Sequence, residues 1–171
     1  MANNTVISLT RAGLIAALYA ALTLIFAPIS YGPLQVRISE ALTILPYFTP
    51  SAIIGLGVGC LAANIYSSAG IYDVILGSLL TLTAAYLTYL CGRSNLAYLA
   101  PLPPVILNAL GVSSYLQFFY DPPQISFLGE MPAYWLFVLT IGAGEIVACY
   151  ALGMPLLLLI RNTNLRKVLG S

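Results

Sequence analysis

The sequence contains no histidine and very few charged residues. Its 171 residues include 6 Lys and Arg and 5 Asp and Glu, which together make up 6% of the chain. A soluble domain carries roughly 25% charged residues, so this chain cannot cover a water-exposed surface with charge. A formal net charge of +1 provides no field that attracts nucleic acid. The lack of histidine removes the commonest general base and the commonest metal ligand.

Cysteine is also scarce. Cys60, Cys91 and Cys149 are far apart in apolar stretches, and no pair has the spacing of a metal or redox motif. We therefore predict small buried apolar side chains at these positions, with no metal and no cofactor. An intramembrane enzyme would need a nucleophile or a metal set, so the sequence argues against an enzyme.

Hydrophobic residues make up 60% of the chain and continue almost from end to end. A membrane-spanning helix needs about 20 mainly apolar residues. The first apolar run is interpreted as a retained transmembrane helix and not as a signal peptide, because no soluble sequence follows it. The sequence predicts one all-α, polytopic membrane domain over 1–171, with six transmembrane helices at about 11–29, 38–49, 51–66, 71–92, 96–119 and 132–160.

The region 38–66 leaves two alternatives open. It is too long for one straight span and short for two, but Pro46 and Pro50 favour two short helices that meet near Thr49. One kinked helix would reduce the count to five. Arg161, Arg166 and Lys167 place the C-terminus in the cytoplasm, and six spans then place the N-terminus there too. The connection with Asp121 and Glu130 falls outside. Charge counting does not separate five spans from six.

Two polar residues stand out near the centre of predicted helices. Glu145 is a carboxylate at mid-membrane, where such residues usually mark a ligand or ion path. Asn108 lies at a similar predicted depth and offers both donors and acceptors. We predict that the two side chains form hydrogen bonds with the polar edge of a heterocycle. The alternative for each is a hydrogen bond between helices. Gly142 and Gly144 beside Glu145 leave room either for a flat ligand or for close helix packing.

A second polar group falls at the predicted outer ends of the helices. It comprises Arg37, Glu40, Asn64 and Asp73, which we predict to close a pocket above Asn108 and Glu145. The alternatives are a local Arg37–Glu40 ion pair and an N-cap role for Asp73. Tyr31 and Trp135 are the aromatic candidates for stacking on a planar ligand, although most aromatic residues here fit an interfacial belt.

The first predicted helix carries two ridges of small residues. Ala12, Ala16 and Ala20 form one ridge, and Gly13, Ala17 and Ala21 form the other. Small residues at this spacing let helices approach closely. We predict that this face docks a partner protein, and internal packing is the alternative.

Several segments carry a family resemblance. Residues 30–42, SYGPLQVRISEAL, strongly resemble the signature of the QueT family, and residues 72–79, 103–109 and 144–145 resemble its later blocks. These proteins are substrate-binding S-components of energy-coupling factor (ECF) transporters for queuosine precursors. The resemblance implies a six-helix S-component in the plasma membrane of a prokaryote, both termini cytoplasmic. Its implied partners are a transmembrane T-component, docked through the alanine ridges, and two cytoplasmic ATPases.

The ligand implied by the resemblance is a 7-deazaguanine, such as queuine or the aminomethyl precursor. Its guanine-like edge presents N–H donors and one carbonyl. We expect Glu145 to accept hydrogen bonds from the N–H donors and Asn108 to donate one to the carbonyl oxygen. Glu40 or Asp73 would neutralise an amine. The chain has no P-loop, so ATP hydrolysis belongs to another subunit. The alternatives are an S-component for another vitamin-like heterocycle and a ligand-free assembly subunit.

Overall fold

The computed structural model of the chain describes residues 2–123, 125 and 131–163. Over these ranges the chain is helical and contains no β-strand. The all-α prediction is therefore confirmed for the described residues. Glu130, Arg166 and Lys167, which entered the predicted orientation, lie outside them.

Seven α-helices make up most of the part of the chain that the structure describes. They are α1 (Ala2–Ile25), α2 (Ala27–Ser30), α3 (Ser51–Asn64), α4 (Ser78–Arg93), α5 (Leu102–Leu116), α6 (Ala133–Ile146) and α7 (Met154–Asn162). A 3₁₀ helix, Ile38–Tyr47, precedes α3, and a short 3₁₀ turn, Ala97–Leu99, precedes α5. Two π-helical segments continue into α-helix: Asp73–Gly77 leads into α4, and Val147–Gly153 joins α6 to α7.

Among the described residues, four helices are long and apolar enough to cross a membrane. They are Asn4–Ile25, Asp73–Arg93, Ala97–Leu116 and Ala133–Asn162. Large apolar side chains such as Leu14 and Ile25, both 70% exposed, face outward from them, as a lipid-facing surface requires. The chain is a multi-pass membrane protein. Ile38–Tyr47 and Ser51–Asn64 are shorter and meet around Thr49, and the count of six spans stays a prediction.

The first helix begins earlier than the sequence analysis placed it. It starts at Ala2 and not at Arg11, because Val6, Ile7 and Leu9 continue the apolar surface toward the N-terminus. The polar Thr10 is accommodated within the helix, since its hydroxyl donates to the Val6 carbonyl at 2.9 Å. A run of uncharged polar residues therefore did not mark a helix boundary.

The 3₁₀ helix Ile38–Tyr47 lies in the centre of the fold and is buried from Ser39 to Pro46. It packs against α1, α4 and the π segment Val147–Gly153. A 3₁₀ helix rises about 2.0 Å per residue and repeats every three residues, so this segment spans about 20 Å. The repeat places Glu40 and Thr43 on the same face, and that face meets the π segment.

Helices α1 and α3 pack through small residues. A Cβ atom at Gly55 would lie 2.7 Å from the Ala12 carbonyl oxygen, and one at Gly59 would lie 2.7 Å from the Ala16 carbonyl oxygen. The backbones are therefore in direct contact, as small-residue ridges allow. Internal packing uses the ridge that contains Ala12 and Ala16.

Two buried apolar clusters stabilise the bundle. One includes Tyr19, Leu56 and Leu157, and the other includes Leu116, Phe137 and Ile141. Tyr19 belongs to the first cluster and donates to Glu40, whereas Tyr115 belongs to the second and donates to Asp73. Each apolar cluster thus contacts a buried network of polar side chains.

Candidate functional site

The polar residues that the sequence analysis singled out are all buried. The exposed fractions are 6% for Arg37, 0% for Glu40 and Asn64, 2% for Asp73 and Glu145, and 4% for Asn108. Burying a polar group costs free energy unless it finds a hydrogen-bond partner, and burying a charge costs more. The partners of these side chains therefore indicate which groups are satisfied by the protein and which are left for a ligand.

Glu145 and Asn108 form a direct pair. The Asn108 Nδ2 amide donates to Glu145 Oε1 at 3.0 Å. One helical turn beyond Glu145, the Cys149 thiol contacts Glu145 Oε2 at 3.5 Å. The pair joins α5 to α6, which brings together the two residues that were expected at similar depth.

Glu40 approaches this pair from the 3₁₀ helix. Tyr19 donates to Glu40 Oε1, while Glu40 Oε2 is buried without a hydrogen-bond partner. Ligand atoms of Glu40, Glu145 and Cys149 all lie within 4.8 Å of one another. Two carboxyl groups from distant parts of the chain therefore lie side by side in the interior.

Arg37 is the cation nearest to these carboxyl groups. Its Nη1 contacts the Cys60 sulfur at 4.0 Å and its guanidinium lies 5.6 Å from the centre of the Tyr31 ring, while its Nε is buried without a partner. The guanidinium interacts electrostatically with Glu40 and Glu145. The attraction between Arg37 and Glu40 is consistent with the alternative of a local ion pair, and the guanidinium also lies over Tyr31 and beside Cys60.

Asp73 and Asn64 form a neighbouring network. Ser67 donates to one carboxylate oxygen of Asp73 and Tyr115 to the other. The Asn64 amide donates to the Asp73 backbone carbonyl at 2.8 Å, and Asn64 Oδ1 is buried without a partner. The N-cap position of the π segment that begins at Asp73 is Tyr72, which makes no side-chain cap bond. The Asp73 carboxylate is therefore satisfied by two hydroxyl groups, and Asn64 retains a free acceptor.

The two aromatic candidates lie in different places. Tyr31 is half-buried under Arg37, and its hydroxyl donates to the Ala63 carbonyl at 2.6 Å. Burial raises the pKa of Tyr31, so the hydroxyl stays protonated. Trp135 is 51% exposed and packs edge-on against Tyr134. The structure brings Tyr31 to the buried polar residues but leaves Trp135 at the surface.

The loop that leads into Arg37 is fixed against α6. The Thr140 hydroxyl donates to the Pro33 carbonyl at 2.7 Å. Gly32 and Gln35 have positive φ angles of 102° and 30°, a region that favours glycine. Beside this contact lies an apolar groove of about 560 Å³, whose walls include Leu34, Val36, Leu139 and Val147.

Sequence reasoning missed several members of the network, among them Tyr19, Cys60, Tyr115 and Cys149. In the sequence, both tyrosines resemble ordinary apolar or belt residues. Each nevertheless places a hydroxyl within a long apolar helix, and that position was the available signal of a buried hydrogen bond. Cys60 and Cys149 are buried as predicted. Their sulfurs nevertheless contact polar groups, since Asn64 Nδ2 and Thr81 Oγ1 both lie 3.3 Å from the Cys60 sulfur.

The predicted docking residues divide between two faces of α1. Ala12 is buried, and Ala16 and Ala20 are partly buried on the side that packs against α3. Ala17 and Ala21 are exposed, and a Cβ atom at Gly13 would meet no atom within 4 Å. The exposed ridge of Gly13, Ala17 and Ala21 is the face available to a partner, and docking there stays a prediction.

Comparison with known proteins identifies the family. The sequence matches the QueT transporter family over residues 9–162. The queuosine precursor transporter QueT of Lactococcus lactis subsp. cremoris (strain MG1363) is 42% identical over 71 residues, which are 40% of this chain and 41% of that relative. The matched segment thus spans less than half of the relative. No solved structure matches the chain significantly. Since the family match covers most of the sequence, the chain belongs to the QueT transporter family.

Proposed function

We propose that this chain is the substrate-binding S-component of an ECF transporter that takes up a queuosine precursor. The observation that carries the proposal is that three of the candidate site residues have a buried polar atom without a protein partner, namely Arg37 Nε, Glu40 Oε2 and Asn64 Oδ1. A buried polar atom without a partner costs about 1–3 kcal/mol. A polar ligand that bonds to these atoms removes that cost.

The chemistry of these groups fits a 7-deazaguanine. Glu145 accepts hydrogen bonds from the N–H donors of the guanine-like edge, and Asn108 donates a hydrogen bond to the carbonyl oxygen of that edge. The Asn108–Glu145 hydrogen bond is then exchanged for bonds to the ligand. Arg37, Glu40 and Asn64 supply further contacts, and Tyr31 contributes a ring face. The Lactococcus lactis relative is named as a queuosine precursor transporter, which supports this substrate class.

The proposal also covers the membrane topology of the chain, its location and its partner subunits. The chain has six spans with both termini cytoplasmic, lies in the plasma membrane of a prokaryote, and assembles with a T-component and two ATPases. It is not an enzyme, and its lack of a P-loop leaves ATP hydrolysis to those subunits. The exposed ridge of Gly13, Ala17 and Ala21 supports docking of a partner helix.

Two alternatives remain distinct from this proposal. One is an S-component for another vitamin-like heterocycle. The other is a ligand-free assembly subunit, and the Asn108–Glu145 hydrogen bond is the observation that favours it, because the carboxyl group already has a protein partner.

The test is calorimetry on the purified protein in detergent. 7-Deazaguanines are titrated against guanine, riboflavin and thiamine as comparators. We expect saturable binding of a deazaguanine that exceeds binding of the comparators at least tenfold. Preferential binding of riboflavin or thiamine would support another vitamin-like substrate. A folded sample that binds none of them would favour the assembly subunit.

A further inference from the structure

The buried site contains more carboxyl groups than cations. Arg37 supplies one positive charge, whereas Glu40 and Glu145 lie within 4.8 Å of each other and each supplies a carboxyl group. Two carboxylates in one low-dielectric site repel each other strongly. One guanidinium balances only one carboxylate, so full ionisation of the pair requires a second positive charge.

The free acceptor of this pair belongs to Glu40. Both carboxylate oxygens of Asp73 accept hydroxyl donors, from Ser67 and Tyr115. Glu145 contacts Asn108 through one oxygen and Cys149 through the other. Glu40 Oε2 is fully buried and has no partner. Of the two residues expected to neutralise an amine, Asp73 is already satisfied by the protein and Glu40 is not.

We infer that the site selects queuosine precursors that carry a protonated amine, and that Glu40 Oε2 receives this amine while Glu145 receives the N–H donors of the ring. This inference rests on the proposed function. The aminomethyl precursor and queuine both carry such an amine, and the cyano precursor does not. The ammonium group supplies the positive charge that the carboxyl pair lacks. A nitrile brings no charge and presents a lone pair to an oxygen acceptor, which is repulsive.

The first experiment compares ligands on the unmodified protein. Calorimetry in buffer with EDTA measures the affinity of 7-aminomethyl-, 7-hydroxymethyl- and 7-cyano-7-deazaguanine. The hydroxymethyl compound matches the aminomethyl compound in size but is neutral, so it isolates the effect of charge. We expect the aminomethyl compound to bind at least tenfold more tightly than the other two. Equal affinities, or binding that requires an added divalent metal, would overturn the inference.

The second experiment assigns the charge to Glu40. Glu40→Gln keeps the shape of the side chain and removes its charge. We expect at least a tenfold loss of aminomethyl affinity, with the affinity for the cyano compound unchanged or improved. Equal losses for both compounds would show a structural role and overturn the assignment. If Glu40→Gln does not fold, the ligand comparison on the unmodified protein still decides the selectivity. Failure of every deazaguanine to bind would instead refute the proposed function.

Discussion

Gly144 of α6 lies directly against the backbone of Gln35, so that a Cβ atom at position 144 would come within 2.6 Å of the Gln35 carbonyl oxygen. No real Cβ contact is that short. The loop residues Pro33–Gln35 therefore rest on the helix surface one residue before Glu145. Because Arg37 and Glu40 follow this loop, its contact with α6 sets the distance between Glu40 and Glu145.

Substitution at Gly144 is expected to move the loop that leads to Arg37 and Glu40 away from Glu145 on α6. Gly144→Ala forces the loop away from α6 and should lower stability by about 1–3 kcal/mol, as overpacking does. It should also weaken deazaguanine binding. Gly142→Ala is the matched control, since its Cβ would meet only the Ala109 side chain at 3.4 Å. Thermal unfolding in detergent and calorimetry measure both effects, and equal behaviour of the two variants would contradict this account of the loop.

Glu145→Gln is expected to weaken binding of a 7-deazaguanine about tenfold to a hundredfold, because a hydrogen bond to a charged group contributes about 1.5–3 kcal/mol. The variant keeps the size of the side chain and its ability to bond with Asn108. Ser114→Ala on α5 is the control, since that hydroxyl is exposed and bonds only to the Gly111 carbonyl. Unchanged affinity in a folded Glu145→Gln protein would reduce Glu145 to a structural residue.

Tyr115→Phe tests the network around Asp73. It removes one of the two hydroxyl donors to a buried carboxylate, and we expect a loss of about 1.5–3 kcal/mol in the free energy of unfolding. Tyr134→Phe makes the same chemical change at the surface, where the hydroxyl contacts the Leu110 carbonyl at 3.3 Å. That control should change stability by less than about 0.5 kcal/mol. Thermal unfolding of the two variants measures both losses of stability, and equal losses would contradict the role of the Tyr115 hydroxyl.

The contact between α1 and α3 predicts a contrast between two glycines. Gly59→Ala places a Cβ atom 2.7 Å from the Ala16 carbonyl oxygen and must push the helices apart. We expect it to destabilise the protein by about 1–3 kcal/mol. Gly13→Ala on the exposed side of α1 meets no atom, so it should be neutral or stabilising by up to about 1 kcal/mol through helix propensity. If Gly59→Ala proved as stable as Gly13→Ala, the close packing of these helices would be refuted.

Partner docking on α1 is tested by enlarging the exposed ridge. Ala17→Trp should abolish copurification of the T-component and reduce uptake at least tenfold, while ligand binding by the isolated chain stays unchanged. Val58→Trp on α3 is the control, because Val58 is also outward-facing, at 54% exposure. Normal assembly of the Ala17→Trp protein would rule out this ridge as the docking surface.

The polar residues of the site were predictable from the sequence because they are rare in an apolar chain. Arg37, Glu40, Asn64, Asp73 and Asn108 are buried as a site requires, and so is Glu145. Their partners were less predictable. The proximity of Glu40 and Glu145 depends on a 3₁₀ helix, and a run of apolar residues does not distinguish a repeat of 3.0 from one of 3.6.

Tyr19 and Tyr115 show a second limit of the sequence. A tyrosine in an apolar helix contributes either a ring to the core or a hydroxyl to a network, and the residue type is the same in both cases. The positions of Glu40 and Asp73 in the folded protein decide that Tyr19 and Tyr115 act as hydroxyl donors. The same holds for Ala12 and Ala17, which belong to similar ridges although one is buried and the other exposed.

The proximity of Glu40 and Glu145 also has a consequence for biogenesis. One carboxyl group enters the membrane with the first third of the chain and the other with the last, so a nascent chain that has not yet inserted α6 contains only half of the site. Ligand stabilises a protein only in the form that binds it. With the proposed function, a bound precursor would therefore protect the completed protein from degradation but give no protection to truncated or partly inserted chains.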